Sequence, residues 1–487
     1  MNPHPSGADL RSTAWHGMAD SLALGDRRLE ALDHAAALVA HAWAEFDQAR
    51  EIETLPSEQL LASLRESLPE FSSDVIKGLD DASAVLDASL AQARPRYFAY
   101  IGSSGLEVGA LADLLAHSYD INLALDAGAA SRLEAQTIDW LGEFLGYPAA
   151  TGSFTSGGTI SNLTALAAAR ERALPGSRAH GLGGHRCAVY CSEEAHYSIM
   201  RAAELLGIGR DWVRPIPLDA ERRMEPSALA ERIDGDIHDG ITPIAVIATA
   251  GTTLTGAVDP LDELAHVCER LGVWLHVDGA YGLPAAAVPA TAHLFQGLTR
   301  ADSVTVDCHK WMFVPKACSA VLVRDPRALF DVFAHDEAYV PHADGVLNAV
   351  DITLEYSRPM RALKLWLAFR VHGAAAFRQA IARNCEQAQH LYSLAADRVG
   401  IDVLASAPQL SIVPIRSRAP GCPDVNAHNA ELCRRLQADG RVYVSPATID
   451  GEVWLRPCFT NFRTTTDDVD LLLSLVETLG ASCRDHG

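Results

Sequence analysis

The 487-residue chain is short of positive charge: 40 Lys and Arg face 62 Asp and Glu, a formal net charge of −22. A surface this acidic repels nucleic acid and anionic membrane, so neither is expected as a partner; it reads as a well-solvated exterior. Long hydrophobic runs are missing too. The most apolar stretch, 241–258, is broken by Pro243, Gly251, Gly256 and five threonines, which excludes a membrane-spanning helix there. No early run joins basic residues to an unbroken apolar stretch, so neither a signal peptide nor a targeting segment is expected. The ten cysteines lack paired spacing; Cys187 and Cys191 stand four apart, but no second pair completes a zinc site. No metal is expected, and the cysteines read as reduced, mostly buried thiols of a cytoplasmic protein. Internal repeats and low-complexity segments are absent as well.

What is present is a length sufficient for two or three domains with a large core. Two stretches organise it. In Ala301–Trp311, Val304 and Val306 alternate with polar residues as in a strand, which then runs into Asp307-Cys308-His309-Lys310-Trp311. Burial disfavours the ammonium form of a lysine, so one held in such a polar and aromatic knot serves as an amine nucleophile. A lysine capping a strand in water would give the same pattern. Upstream, Val273-Trp274-Leu275-His276-Val277-Asp278 is an apolar run ending in a carboxylate, followed by Gly279-Ala280-Tyr281-Gly282. That is the form of a buried parallel strand whose C-terminal end meets a ligand. A lysine and an aspartate at neighbouring strand ends suit a pyridoxal phosphate (PLP) ring, the lysine binding it covalently and the aspartate holding its nitrogen protonated. Ala280 is small enough to lie flat against such a ring.

Asp278-Gly279-Ala280-Tyr281 and His309-Lys310-Trp311 resemble the signatures of the PLP-dependent group II amino-acid decarboxylases, the aromatic-L-amino-acid decarboxylase-like enzymes of fold type I. The resemblance runs from about Pro95 into the C-terminal region. It implies an α/β fold with a mostly parallel central sheet, a helical N-terminal segment and a small α+β C-terminal domain. It also implies PLP as cofactor, decarboxylation of an L-amino acid to its amine and CO2, and a homodimer whose N-terminal segment wraps the partner. The domain boundaries are set at 1–94, 95–374 and 375–487.

Along the chain, residues 1 to about 15 read as frayed, and two helices are predicted between about Leu29 and Leu68, the second opened by Pro56-Ser57-Glu58. Arg94 to Gly105 is a loop, and the resemblance makes it part of the substrate pocket through Ile101 and Ser103. Gln92, Ile101, Gly102, Asp120 and Asn122 stand roughly where aromatic-specific relatives place bulky rings, which implies a slot that is more polar or differently shaped; residues that only pack the loop would give the same pattern. Gly152 to Leu166 is a Gly-rich turn running into a helix, either a phosphate site on free N–H groups or simply a turn. The resemblance makes Gly158 and Thr159 the phosphate contacts. It likewise puts His196 against the cofactor ring, Thr253 in contact with the cofactor, and His309 beside it. An apolar strand at 243–249 and a helix at 260–271 give βαβ alternation, hence a largely parallel sheet.

Residues 331–359 read as a long functional loop. Tyr339, 29 residues after Lys310, matches the mobile-loop tyrosine that in the family protonates the carbanion left by CO2 and touches substrate. Another strand is predicted at 317–324, a helix from 361 to Gly373, and a long helix at 377–399. Strands near 402–405, 410–415, 442–445 and 453–457 and a terminal helix at 467–480 complete the small domain. Arg456 resembles an arginine slot of this fold, with ion pair and substrate contact both open. The catalytic set is Lys310, His196, Asp278 and Tyr339, acting on a small amino-acid substrate, aromatic first. The alternatives are a diamino acid such as 2,4-diaminobutyrate, suggested by Asp120, an aminotransferase, an aldehyde synthase, and a non-catalytic scaffold.

Overall fold

The computed structural model describes residues 22–49, 56–335 and 348–481. The chain divides into two compact units, Met1–Ala91 and Gln92–Gly487. In the first, helices span Arg28–Asp47, Glu58–Ser63 and Val75–Asp87. Ser57 caps the second of these by accepting from Leu60 N, as the Pro-Ser-Glu opening predicts. The third has no counterpart among the predicted elements; Asp74 caps it through Ile76 N and Lys77 N. The frayed stretch predicted at 1–15 lies outside the described residues.

The second unit is built on a seven-stranded sheet. Its strands are β1 (Thr151–Thr155), β2 (Cys187–Ser192), β3 (Val213–Ile216), β4 (Thr242–Thr249), β5 (Trp274–Asp278), β6 (Ser303–Val306) and β7 (Ser319–Val323). Their order is β1-β7-β6-β5-β4-β2-β3. β7 runs antiparallel to both β1 and β6, and the remaining pairs are parallel. β4 shows why the sheet must be covered on both faces. Ala245 and Ile247 enter one core with Leu166 and Ile199, while Val246 and Ala248 enter the other with Leu229 and Leu264.

A second sheet, in the order β10-β11-β9-β8, comprises β8 (Ile401–Val403), β9 (Ile415–Ser417), β10 (Pro446–Ile449) and β11 (Glu452–Leu455), all antiparallel. Two predicted strands are displaced. The 410–415 stretch is apolar because Leu410 and Ile412 pack into the core of the large sheet, and Pro414 removes a ladder donor just before β9. Val442 and Val444 fill the small core, while Tyr443 makes a single bridge to Tyr97, so the strand starts only at Pro446. The two helices predicted on either side of 373 are present within Ala362–Ala396, separated at Gly373, whose backbone (φ 73°) is not helical. The Thr466–Gly480 helix opens on a capping box between Thr465 and Asp468.

Register decides where the chemistry falls. Thr249 pairs with Asp278 and Asp278 with Thr305, so β4, β5 and β6 end along one edge of the sheet. The Gly158–Ala173 helix begins beside the same edge. Its first residue is pressed so close that a Cβ there would lie 3.0 Å from Ala280 Cβ and 3.1 Å from Asp307 Oδ2.

Candidate active site

These strand ends enclose a cavity of about 450 Å3. Of the residues singled out in the sequence, Ile101, Gly158, Thr159, His196, Thr253, Asp278, Ala280, His309 and Lys310 all line it. Ser103 does not. It is buried, its hydroxyl donates to the Val314 carbonyl at 2.9 Å, and it pins the loop rather than facing the cavity. Tyr339 lies outside the described residues. Asp120 lines an adjoining pocket rather than this one, and Asn122 is spent on Ser357 at 3.2 Å and on the backbone of Ala124 and Arg358.

Lys310 follows the β6 end through a turn in which its N–H donates to the Asp307 carbonyl at 2.9 Å. Its Nζ stands 3.1 Å from Asp307 Oδ2, with His309 Nε2 3.6 Å from the same oxygen. Burial pushes the Asp307 carboxyl up, but Lys310 and His309 outweigh it and hold the group below its ordinary range. His309 is pushed down by burial, so it is neutral at neutral pH, and Nδ1 faces the Cys318 backbone.

Asp278 is held by a chain of polar groups running away from the cavity. Asn162 Nδ2 donates to Asp278 Oδ2 at 2.8 Å, and the Ala280 N–H donates to Oδ1 at 3.2 Å. Asn162 Oδ1 meets His276 Nε2 at 3.0 Å, and His276 Nδ1 meets Ser303 Oγ at 2.8 Å. Full burial pushes His276 down to about 4, against the pull of Asp278, so this imidazole is a neutral link. Asn162 also donates to Ser198 Oγ at 3.0 Å, which in turn meets His196 Nδ1 at 2.9 Å. His196 is the N-cap of the Tyr197–Leu205 helix and also lines the cavity. Burial lowers its pKa, outweighing the opposing charge of Asp278.

A PLP-type group fits what is present. The first N–H groups of the Gly158–Ala173 helix have no intrahelical partner, and no side chain caps them, so they are available to a phosphate. The missing Gly158 side chain and the small Ala280 leave a narrow space between helix and strand end. Two buried polar atoms of the lining residues, Thr249 Oγ1 and Asp307 Oδ1, have no protein partner among the described residues.

Several lining residues were given no role in the sequence reading, among them Asp307, Asn162, Ser198, Tyr100 and Lys316. Asp307 was legible, three positions before Lys310 in the same motif. Asn162 and Ser198 were not, because only folding brings them to Asp278. Tyr100 carries φ 54°, a left-handed backbone rare for a bulky side chain. Arg456 donates to the Thr253 carbonyl at 2.9 Å and lines the cavity; among the described residues no carboxylate pairs with it.

A mostly parallel sheet, a small antiparallel sheet and a lysine and carboxylate converging from adjacent strand ends define a PLP-dependent enzyme of fold type I. Residues 57–416 match the pyridoxal-dependent decarboxylase conserved domain, and the chain belongs to that family of PLP-dependent amino-acid decarboxylases. The aromatic-L-amino-acid decarboxylase of Bacillus atrophaeus is 35% identical over 438 residues, 88% of this chain and 90% of that one. Tyrosine decarboxylase 2 of Arabidopsis thaliana is 30% identical over 81% of this chain and 75% of its own. The structure of Oryza sativa TDC with PLP and tryptamine superimposes with a TM-score of 0.88 at 26% identity, covering 94% of this chain and 98% of that one. Mouse CSAD gives the same TM-score and identity over 94% of this chain and 100% of its own. Among the described residues no helix is long and apolar enough to cross a membrane, and none of their His, Cys, Asp and Glu side chains cluster as a metal site.

Proposed function

We propose that this enzyme decarboxylates an aromatic L-amino acid to the corresponding amine and CO2. The observation that carries the reaction is the convergence of Lys310, Asp278 and His196 on one cavity; the substrate class rests on the aromatic relatives at 30–35% identity. When bound, PLP supplies an electron sink for the bond to the departing carboxylate. Lys310 would be the covalent anchor, with Asp307 Oδ2 standing 3.1 Å from its Nζ. Asp278 would pair with the ring nitrogen, its carboxylate kept in position by Asn162 and the Ala280 N–H. Gly158, Thr159 and the helix start would hold the phosphate, His309 and Thr253 would contact the cofactor, and Ala280 and His196 would lie against its ring. His196 turns Nδ1 to Ser198, leaving Nε2 for the substrate. Arg456, without an anionic partner among the described residues, receives the α-carboxylate. Tyr339 remains the proposed proton donor to the carbon that loses CO2, on its position after Lys310.

We also propose a homodimer in which the N-terminal unit packs on the partner. Among its described residues Ala31 alone is a buried apolar residue, while Leu29, Leu32, Leu64, Leu68 and Phe71 are exposed. Light scattering on the full chain should give twice the chain mass; a monomer would remove this proposal. A cytoplasmic location is supported by the eight free cysteines among the described residues, although Cys422 is disulfide-bonded, against the expectation that all ten are reduced.

The deciding experiment measures CO2 and amine from each of the amino acids with the PLP-loaded enzyme. An aromatic amino acid should give both in equal amounts. Aldehyde and peroxide, or a keto acid, would replace the proposed reaction with another. Lys310→Ala should lose the visible absorbance of covalently held cofactor together with turnover, and retention of both would contradict the anchor role.

A further inference from the structure

The cavity holds more positive charge than the proposed reaction uses. Its two carboxylates are committed, Asp307 to Lys310 at 3.1 Å and Asp278 to Asn162 at 2.8 Å. Two cations that line it, Arg456 and Lys316, have only neutral partners among the described residues. Arg456 donates to the Thr253 carbonyl, and Lys316 Nζ donates to Gln92 Oε1 at 2.6 Å. The proposed phosphate cradle at Gly158, Thr159 and the helix start uses neither cation, and an amino acid brings one α-carboxylate, so one cation is left for the side chain.

Lys316 belongs to the wall made by residues 92–103. The same Gln92 oxygen accepts from the Ser103 N–H at 3.4 Å, and a Cβ on Gly102 would lie 2.9 Å from it. Tyr100 and Ile101, from that segment, line the cavity with Lys316 and Ala317. The proposed phosphate cradle is made of other groups, Gly158, Thr159 and the helix start. Lys316 is exposed and is shared with an adjoining pocket, where Asp113 is committed to Lys364 at 2.7 Å. Partial desolvation, and then the nearby charge of Lys310, hold the Lys316 ammonium below its ordinary range. An ammonium in that position gains by meeting an oxygen acceptor and loses by meeting another cation.

We infer that Lys316, steadied by Gln92, determines specificity in the side-chain slot. It selects amino acids whose side chain ends in an oxygen acceptor, a ring hydroxyl or a carboxylate, over plain hydrocarbon and over ammonium-bearing side chains. The inference rests on the decarboxylase reading of the same cavity and concerns which side chain its substrate carries; an acid leading would replace the aromatic substrate. A polar group in a slot discriminates most strongly against the analogue that leaves it unpaired.

The test compares wild type, Lys316→Met and Lys316→Arg, each loaded with PLP, on tyrosine, phenylalanine, aspartate, glutamate and 2,4-diaminobutyrate. Two readouts are taken: amino-acid affinity from the change in cofactor absorbance, and kcat/KM from CO2 release. Wild type should favour tyrosine or an acid over phenylalanine by on the order of tenfold or more. Lys316→Met should bring that ratio towards one, chiefly through KM, because the contact binds ground state and transition state alike. Lys316→Arg should keep part of the preference. Tyrosine leading identifies a ring hydroxyl and an acid leading identifies a carboxylate, and either supports the inference. An unchanged ratio in Lys316→Met, or diaminobutyrate ahead of both, would overturn it. Absence of CO2 from every amino acid would remove the decarboxylase reading instead, and the affinity ratio would still decide the role of Lys316.

Discussion

Asp278 lies 116 positions of sequence from Asn162, yet it is held by contacts a few ångströms long. Asn162 touches no reacting group, but it is the one side chain that bonds both Asp278 and Ser198, the partner of His196. Removing it leaves the buried Asp278 Oδ2 unpaired, a cost of about 1–3 kcal/mol, or roughly 5- to 150-fold in cofactor affinity. Asn162→Ala should therefore weaken PLP binding in an absorbance titration, with Asn162→Asp no rescue because it sets a second carboxylate against Asp278. The His196 prediction concerns pH. Burial lowers its pKa from the ordinary 6.5, so the neutral ring persists into mild acid and protonation is confined to lower pH. The pH profile of kcat/KM should hold level down to below pH 6.5 and fall only on the acid side of it. A fall already centred above that pH would show that His196 is not the group, or not neutral.

Among the elements, the start of the Gly158–Ala173 helix carries the tightest constraint. A methyl at 158 would stand 3.0 Å from Ala280 and 3.1–3.2 Å from both Asp307 oxygens, in the space proposed for the cofactor. Overpacking of this kind costs about 1–3 kcal/mol. Gly158→Ala should raise the PLP dissociation constant at least about fivefold, while far-UV circular dichroism keeps the helix signal, since alanine favours a helix over glycine. The sequence carried this element openly, as a Gly-rich turn before an Ala-rich helix. It carried β1 poorly, because Thr151–Thr155 pairs only with β7, and an edge strand paired to a distant segment leaves little local pattern. The small sheet was hard to read for a related reason. Leu410, Ile412, Val442 and Val444 look like strand residues because they are buried, and burial there comes from two different cores.

At the scale of the whole molecule, the segment after residue 347 is tied back to the body by Arg358, whose guanidinium bonds both oxygens of Glu134 in the Ala129–Leu145 helix. The two side chains are 1% and 9% exposed, so this is a buried ion pair. Glu134→Ala would leave Arg358 charged and unpaired, a loss of about 3–5 kcal/mol, read as a lower urea midpoint. Glu134→Gln keeps an acceptor and should lose less. An unchanged midpoint for the alanine variant would mean that water replaces the carboxylate. The same scale sets the cavity apart from the exterior: the chain is acidic overall, yet the cavity gathers Lys310, Lys316 and Arg456.

By itself the amino-acid sequence determined the class of fold and the two poles of the site. Apolar runs ending in Asp278 and in the Asp307–Lys310 turn are local patterns, and strand burial and strand ends follow from local pattern. Only the tertiary structure decided the rest. It put Asn162 on Asp278, took Ser103 out of the cavity, separated Asp120 from it and set Lys316 on the wall with Gln92. These depend on contacts across as many as 224 positions of chain, and no periodicity within a single segment encodes which distant partner a polar side chain meets.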